Sequence, residues 1–112
     1  VSKEAIDISQ NMLPKEIHLL ENLRFHEGEI NNDISFSKKL SKHADVYIND
    51  AFGTAHRSHA SNGCILSFFK EKSIGLLMEK EFKYLSNTMV NKNNKCILVI
   101  GGAGFFGYHL IK

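Results

Sequence analysis

Residues 45–60 read Asp-Val-Tyr-Ile-Asn-Asp-Ala-Phe-Gly-Thr-Ala-His-Arg-Ser-His-Ala, which places Thr54, His56, Arg57 and His59 close together. The guanidinium fork of Arg57 suits a carboxylate or a phosphate better than any other side chain does. A second arginine, Arg24, ends the run Glu21-Asn22-Leu23-Arg24. Paired cations of this kind serve anion binding. His26 sits beside Arg24 and within reach of the same anion. His56 and His59 stand at i,i+3, where histidines can share a face, but no third metal ligand lies nearby in sequence. They are expected to brace the loop or line a basic patch. Asp50 and Glu21 are read as loop caps or arginine partners, since nothing here calls for a general base.

Each arginine needs a strand tip to carry it. Val46, Tyr47 and Ile48 are β-formers, and Asn49-Asp50 ends their run. Gly53 then lets the chain turn and approach another molecule closely. Residues 17–20 form a short apolar run read as a strand, with residues 21–25 as the loop leaving its carboxyl end. In parallel α/β folds ligands sit outside the carboxyl ends of strands. If the two strands are neighbours, both guanidiniums face one crevice.

Helical periodicity fills the remainder. Residues 1–13 carry Ala5, Ile6, Ile8, Met12 and Leu13 in an imperfect helical pattern closed by Pro14. Asn32-Asp33 can cap a helix on which Phe36, Leu40 and Ala44 share a face. Residues 64–69 are apolar and read equally as a helix end or a buried connector. From Leu76 onward Leu77, Met78, Glu81, Phe82, Leu85 and Met89 lie along one side, a core face, with Glu79 and Lys83 paired at i,i+4. A polar turn at 91–95 leads into the apolar run 96–100, which suits a strand buried on both faces. The order predicts an α/β chain: a partial doubly wound parallel sheet with flanking helices.

The 112 residues amount to one domain or less, and their 43% apolar and 23% charged content is that of a globular chain. A net charge of +2 is too small to argue for nucleic acid or membrane surfaces. No run reaches transmembrane length, and no signal segment is recognisable. Cys64 and Cys96 are far apart in sequence and read as reduced, partly buried thiols of a cytosolic protein.

Several strings resemble the N-terminal domain of phosphoglycerate kinase: Leu19-Leu20-Glu21-Asn22-Leu23-Arg24-Phe25-His26, Asn49-Asp50-Ala51-Phe52-Gly53-Thr54-Ala55-His56-Arg57, Gly75-Leu76-Leu77-Met78-Glu79-Lys80-Glu81 and Gly101-Gly102-Ala103. The resemblance covers roughly residues 16–103, so residues 1–103 are expected to be part of that domain and 104–112 a divergent tail. It implies phosphoryl transfer between 1,3-bisphosphoglycerate and ADP, with 3-phosphoglycerate and ATP as products and Mg accompanying the nucleotide. It also implies a cytoplasmic monomer. Arg24 and Arg57 match arginines that bind 3-phosphoglycerate. The family's first substrate loops lie upstream of this chain's start. Its Lys-Val-Ser-x-Lys after Gly-Gly-Ala is replaced, with Gly104 at the first lysine, and residues 62–65 depart locally from the family's Val-Gly. Much of the nucleotide site is therefore missing, and no turnover is expected from these residues alone; a non-catalytic remnant that still binds the acid is the alternative.

Residues 97–112 also resemble the opening strand, turn and helix of an NAD-dependent nucleotide-sugar epimerase or dehydratase. Gly101, Gly104 and Gly107 give G-x-x-G-x-x-G after an apolar strand, a pattern that can bring a pyrophosphate to a helix N-terminus.

Overall fold

The computed structural model describes residues 1–90, with side chains through residue 87; the expected turn at 91–95, strand at 96–100 and Gly101/Gly104/Gly107 pattern lie outside the described residues. The chain divides into two units, Val1–Glu81 and Phe82–Lys112. The first holds all the elements below except the later part of the last helix.

Helix α1, Lys3–Gln10, starts where the Ser2 side chain accepts a hydrogen bond from the Ala5 N–H at 3.1 Å. After an extended stretch come a 3-10 turn at Leu23–Phe25 and the short α2, Glu27–Ile30. Helix α3, Ile34–Leu40, is capped by Asp33, whose carboxylate accepts from the Phe36 N–H at 2.6 Å. That bond and one from the Ser35 hydroxyl hold the Asp33 carboxyl below its ordinary pKa. The helix is shorter than its apolar spacing suggested: a 3-10 turn at Ser41–His43 follows, and Ala44 is extended and exposed.

Strand β1, Val46–Asn49, forms as its β-branched and aromatic content demands. Its partner is the unforeseen β2, Glu71–Ile74, paired in parallel with Val46 opposite Glu71 and Asn49 opposite Ile74. Glu71-Lys72-Ser73 carries no apolar alternation, and pairing, not propensity, makes it a strand. Two further 3-10 turns, Phe52–Thr54 and Cys64–Phe68, occupy the crossover, which settles 64–69 as a connector. Helix α4, Leu76–Val90, closes the described chain.

Residues 17–20 form no strand among the described residues. They alternate in burial: Ile17 and Leu19 are 93% and 89% exposed, while His18 and Leu20 are half-buried. This is a strand's period of two without a ladder. The premise of two neighbouring arginine-bearing strands is therefore corrected.

The core lies where α3 packs on the Cys64–Phe68 turn. Leu40, Ile65 and Phe69 are buried there, with Leu20, Leu23, Phe36 and Tyr47 packed around them. Of the expected apolar stripe on α4, Met78 is buried and Glu81 half-buried, whereas Leu77, Phe82 and Leu85 are exposed. Against α1, the Ser9 hydroxyl lies 2.7 Å from Nδ1 of both His18 and His43. One hydroxyl proton serves one imidazole, so the other ring must carry its own proton on Nδ1 and donate it.

Candidate functional site

A polar cleft of about 290 Å³ opens at the carboxyl end of β1, lined by Asn22, Arg24, Asn49, Asp50, Thr54 and Ser61 among others. Its position is the one expected of ligand sites in parallel sheets. The Leu23–Phe25 turn, in place of the expected strand tip, brings Arg24 to the rim. Asn22 caps that turn, its side-chain oxygen accepting from the Arg24 N–H at 3.0 Å.

Arg57 belongs to the loop that forms the other wall. Its N–H donates to the Thr54 carbonyl at 3.0 Å, and its side chain is exposed and outside the cleft lining. The cleft thus gathers Arg24 with Thr54, His59, Ser61 and Asn62 of the Arg57 loop, and Arg57 itself is not among its lining residues. Among the described residues neither guanidinium is taken up by an ion pair. Both retain their donor forks for a ligand.

The acids and histidines have other duties. Glu21 pairs with His26 at 3.0 Å, so its partner is a histidine and not an arginine. His26 also lies against Phe36, ring centroids 5.5 Å apart, and does not line the cleft that Arg24 lines. Asp50 accepts from the Met78 N–H at 3.0 Å and caps α4. A Cβ at Gly75 would overlap the Asp50 carboxyl, so glycine is required beside that cap. His56 is exposed on the loop, whereas His59 is half-buried with Nδ1 3.8 Å from Glu29 Oε1. Among the described residues no three His, Cys, Asp or Glu side chains gather to hold a metal ion. Cys64 is a free, half-buried thiol.

What fixes the Arg57 loop escaped the sequence reading. Glu29 on α2 is 3% exposed, and its carboxylate accepts from the Ser61 N–H at 2.9 Å and from the Ser61 hydroxyl at 2.5 Å. Asn62 staples the loop internally, donating to the Thr54 carbonyl at 3.0 Å and accepting from the His59 N–H at 2.9 Å. Asn32, in a left-handed conformation at φ 54°, accepts from the Cys64 N–H at 2.9 Å. A Cβ at Gly63 would fall 2.6 Å from the Asn32 side-chain oxygen and 2.8 Å from the His59 carbonyl, so the close approach needs glycine there. Gly53 needs no such exemption: a Cβ there would meet open space. Tyr47 donates its hydroxyl to the Ser61 carbonyl at 2.9 Å, and burial, then the Glu29 charge, raises its pKa above 10.0. The Glu29–Ser61 and Asn32–Cys64 contacts each link positions 32 apart, and no local pattern announces them.

An α/β unit with a polar cleft at a strand tip and an arginine on its rim is of the class that can grip small anions. The chain belongs to the phosphoglycerate kinase family, whose sequence model, described as phosphoglycerate kinase, matches residues 1–105. It is similar to the phosphoglycerate kinase of Prochlorococcus marinus (strain MIT 9515), 43% identical over 103 residues that make up 92% of this chain and 26% of the relative. It is also similar to that of Solibacter usitatus (strain Ellin6076), 48% identical over 96 residues, 84% of this chain and 25% of the relative. The enzyme of Hydrogenobaculum sp. (strain Y04AAS1) is 42% identical over 92% of this chain. The chain spans about a quarter of the length of these curated relatives. The family match begins at Val1, earlier than the motifs at 16–103 suggested.

Proposed function

We propose that this chain supplies part of the sugar-acid-holding half of a phosphoglycerate kinase, which moves a phosphoryl group reversibly between 1,3-bisphosphoglycerate and ADP to give 3-phosphoglycerate and ATP. In this reading residues 1–103 are part of the acid-binding domain and 104–112 a divergent tail. Arg24 and Arg57 contribute charge-assisted hydrogen bonds to the phosphate and carboxylate of 3-phosphoglycerate. Phosphoryl transfer between anions depends on positioned positive charge more than on covalent groups, because the migrating group spreads its charge over its oxygens. The magnesium nucleotide is held by parts of the kinase outside the described residues, and domain closure brings the two substrates in line. The setting is glycolysis in the cytoplasm, with the protein a monomer.

The observation that carries this reading is Arg24, in no ion pair among the described residues, on the rim of a cleft at the carboxyl end of β1. Titration of the chain with 3-phosphoglycerate tests it. Saturable binding that Arg24→Ala and Arg57→Ala both weaken supports it; unchanged affinity in both variants overturns it. A coupled assay should detect no ATP formation from the 112 residues alone.

A further inference from the structure

We propose that Glu29 is a positioning residue for this cleft: through Ser61 it locks the 54–62 loop to the helix that follows Arg24, and so sets the spacing of the two arginine-bearing loops. The inference rests on the reading that Arg24 and Arg57 hold the sugar acid.

A carboxylate 3% exposed in the wall of an anion cleft would repel the ligand if its charge were free. Here the charge is committed. Oε2 accepts from the Ser61 N–H at 2.9 Å and Oε1 from the Ser61 hydroxyl at 2.5 Å. The Ala60 N–H adds a bond to the Glu29 backbone carbonyl at 2.9 Å, and the His59 ring stands 3.8 Å away. Glu29 lies on α2, separated from the Leu23–Phe25 turn by His26 alone at the helix start. Ser61 lies four positions after Arg57. The Glu29–Ser61 contact is thus a direct bridge between the segment that presents Arg24 and the segment that presents Arg57. Without it, each guanidinium keeps its charge and the backbone bond from Ala60 remains, but the distance between the two is held less tightly. A ligand that must be gripped at two anionic ends then loses part of the gain of preorganisation.

The test is calorimetric titration of the 112-residue chain with 3-phosphoglycerate, comparing Glu29→Gln, Ser61→Ala, Ser61→Thr, Arg24→Ala and Arg57→Ala. Glu29→Gln and Ser61→Ala should each weaken binding about tenfold, the effect of losing one well-placed polar interaction. Ser61→Thr, which keeps the hydroxyl, should recover most of that loss. The double variant of Glu29→Gln with Ser61→Ala should bind no worse than the weaker single one, because both act on the same hydroxyl–carboxylate bond, the Ser61 N–H being present in every variant. Wild-type affinity in Glu29→Gln, alongside losses in the arginine variants, overturns the positioning role and leaves the anion reading intact. Additive losses, or Ser61→Thr as weak as Ser61→Ala, also overturn it. Unchanged affinity in both arginine variants overturns both. Should Glu29→Gln fail to fold, the Ser61 pair decides the matter.

Discussion

The Asp50 carboxylate accepts the backbone N–H of Met78 at 3.0 Å, tying the end of β1 to the first turn of α4. A side-chain oxygen at a helix start satisfies a donor that has no partner within the helix. Asp50→Ala should lower stability by about 1 kcal/mol. Gly75→Ala should cost about 1–3 kcal/mol, because the added methyl overlaps the same carboxyl. Urea titration followed by circular dichroism measures both, and a neutral Gly75→Ala would contradict the packing.

Arg24→Ala and Arg57→Ala should each weaken 3-phosphoglycerate binding by about 1.5–3 kcal/mol, the range for hydrogen bonds to charged groups. Both exposed guanidiniums are open to salt screening. Affinity should therefore fall as ionic strength rises, and the fall should be shallower in either variant. An affinity indifferent to salt would contradict the electrostatic basis.

Burial, then the neighbouring His18, lowers the His43 pKa below 6.5. Among the described residues its buried Nε2 has no hydrogen-bond partner. The folded state thus resists a proton that the unfolded chain accepts more readily. The resulting stability is fully present above pH 6.5 and is lost as pH falls through the depressed folded value. Thermal unfolding should therefore occur at lower temperature at about pH 5.5 than at about pH 7.5, and His43→Asn should flatten that dependence. A midpoint that rises on acidification in the native chain would refute the assignment.

Tyr47→Phe keeps the ring against Phe69, 5.7 Å away, and removes the hydroxyl that donates to the Ser61 carbonyl. The expected cost is about 1 kcal/mol. Leu40→Ala, which empties a site 7% exposed at the centre of the core, should cost about 2–5 kcal/mol. The contrast separates loop anchoring from packing, and equal costs would show that the hydroxyl does more than hold one carbonyl.

The parts of this fold legible in sequence are those written locally. The Asp33 cap, the apolar face of α3 and the β-branched run of β1 all obey short-range rules. Residues 17–20 have the composition and even the alternation of a strand, yet a ladder needs a partner, and composition cannot supply one. The opposite error occurs at β2, where a polar segment becomes a strand because β1 lies alongside it. At the cleft, Arg24 was recognisable from its motif. Glu29 was not: a lone glutamate on a short helix looks like any solvated acid until the chain folds Ser61 onto it. Asn62 stands out in sequence only as a local departure from the family pattern, and its two loop-closing bonds appear only in three dimensions.

The composition of β2 bears on solubility. Glu71, Lys72 and Ser73 are exposed, so among the described residues the rim of the sheet on that side carries charge and hydroxyl groups. Such a border discourages another molecule from adding a strand there. On β1, by contrast, Val46 and Ile48 are 47% and 61% exposed, and self-association at high concentration should begin from that greasier strand.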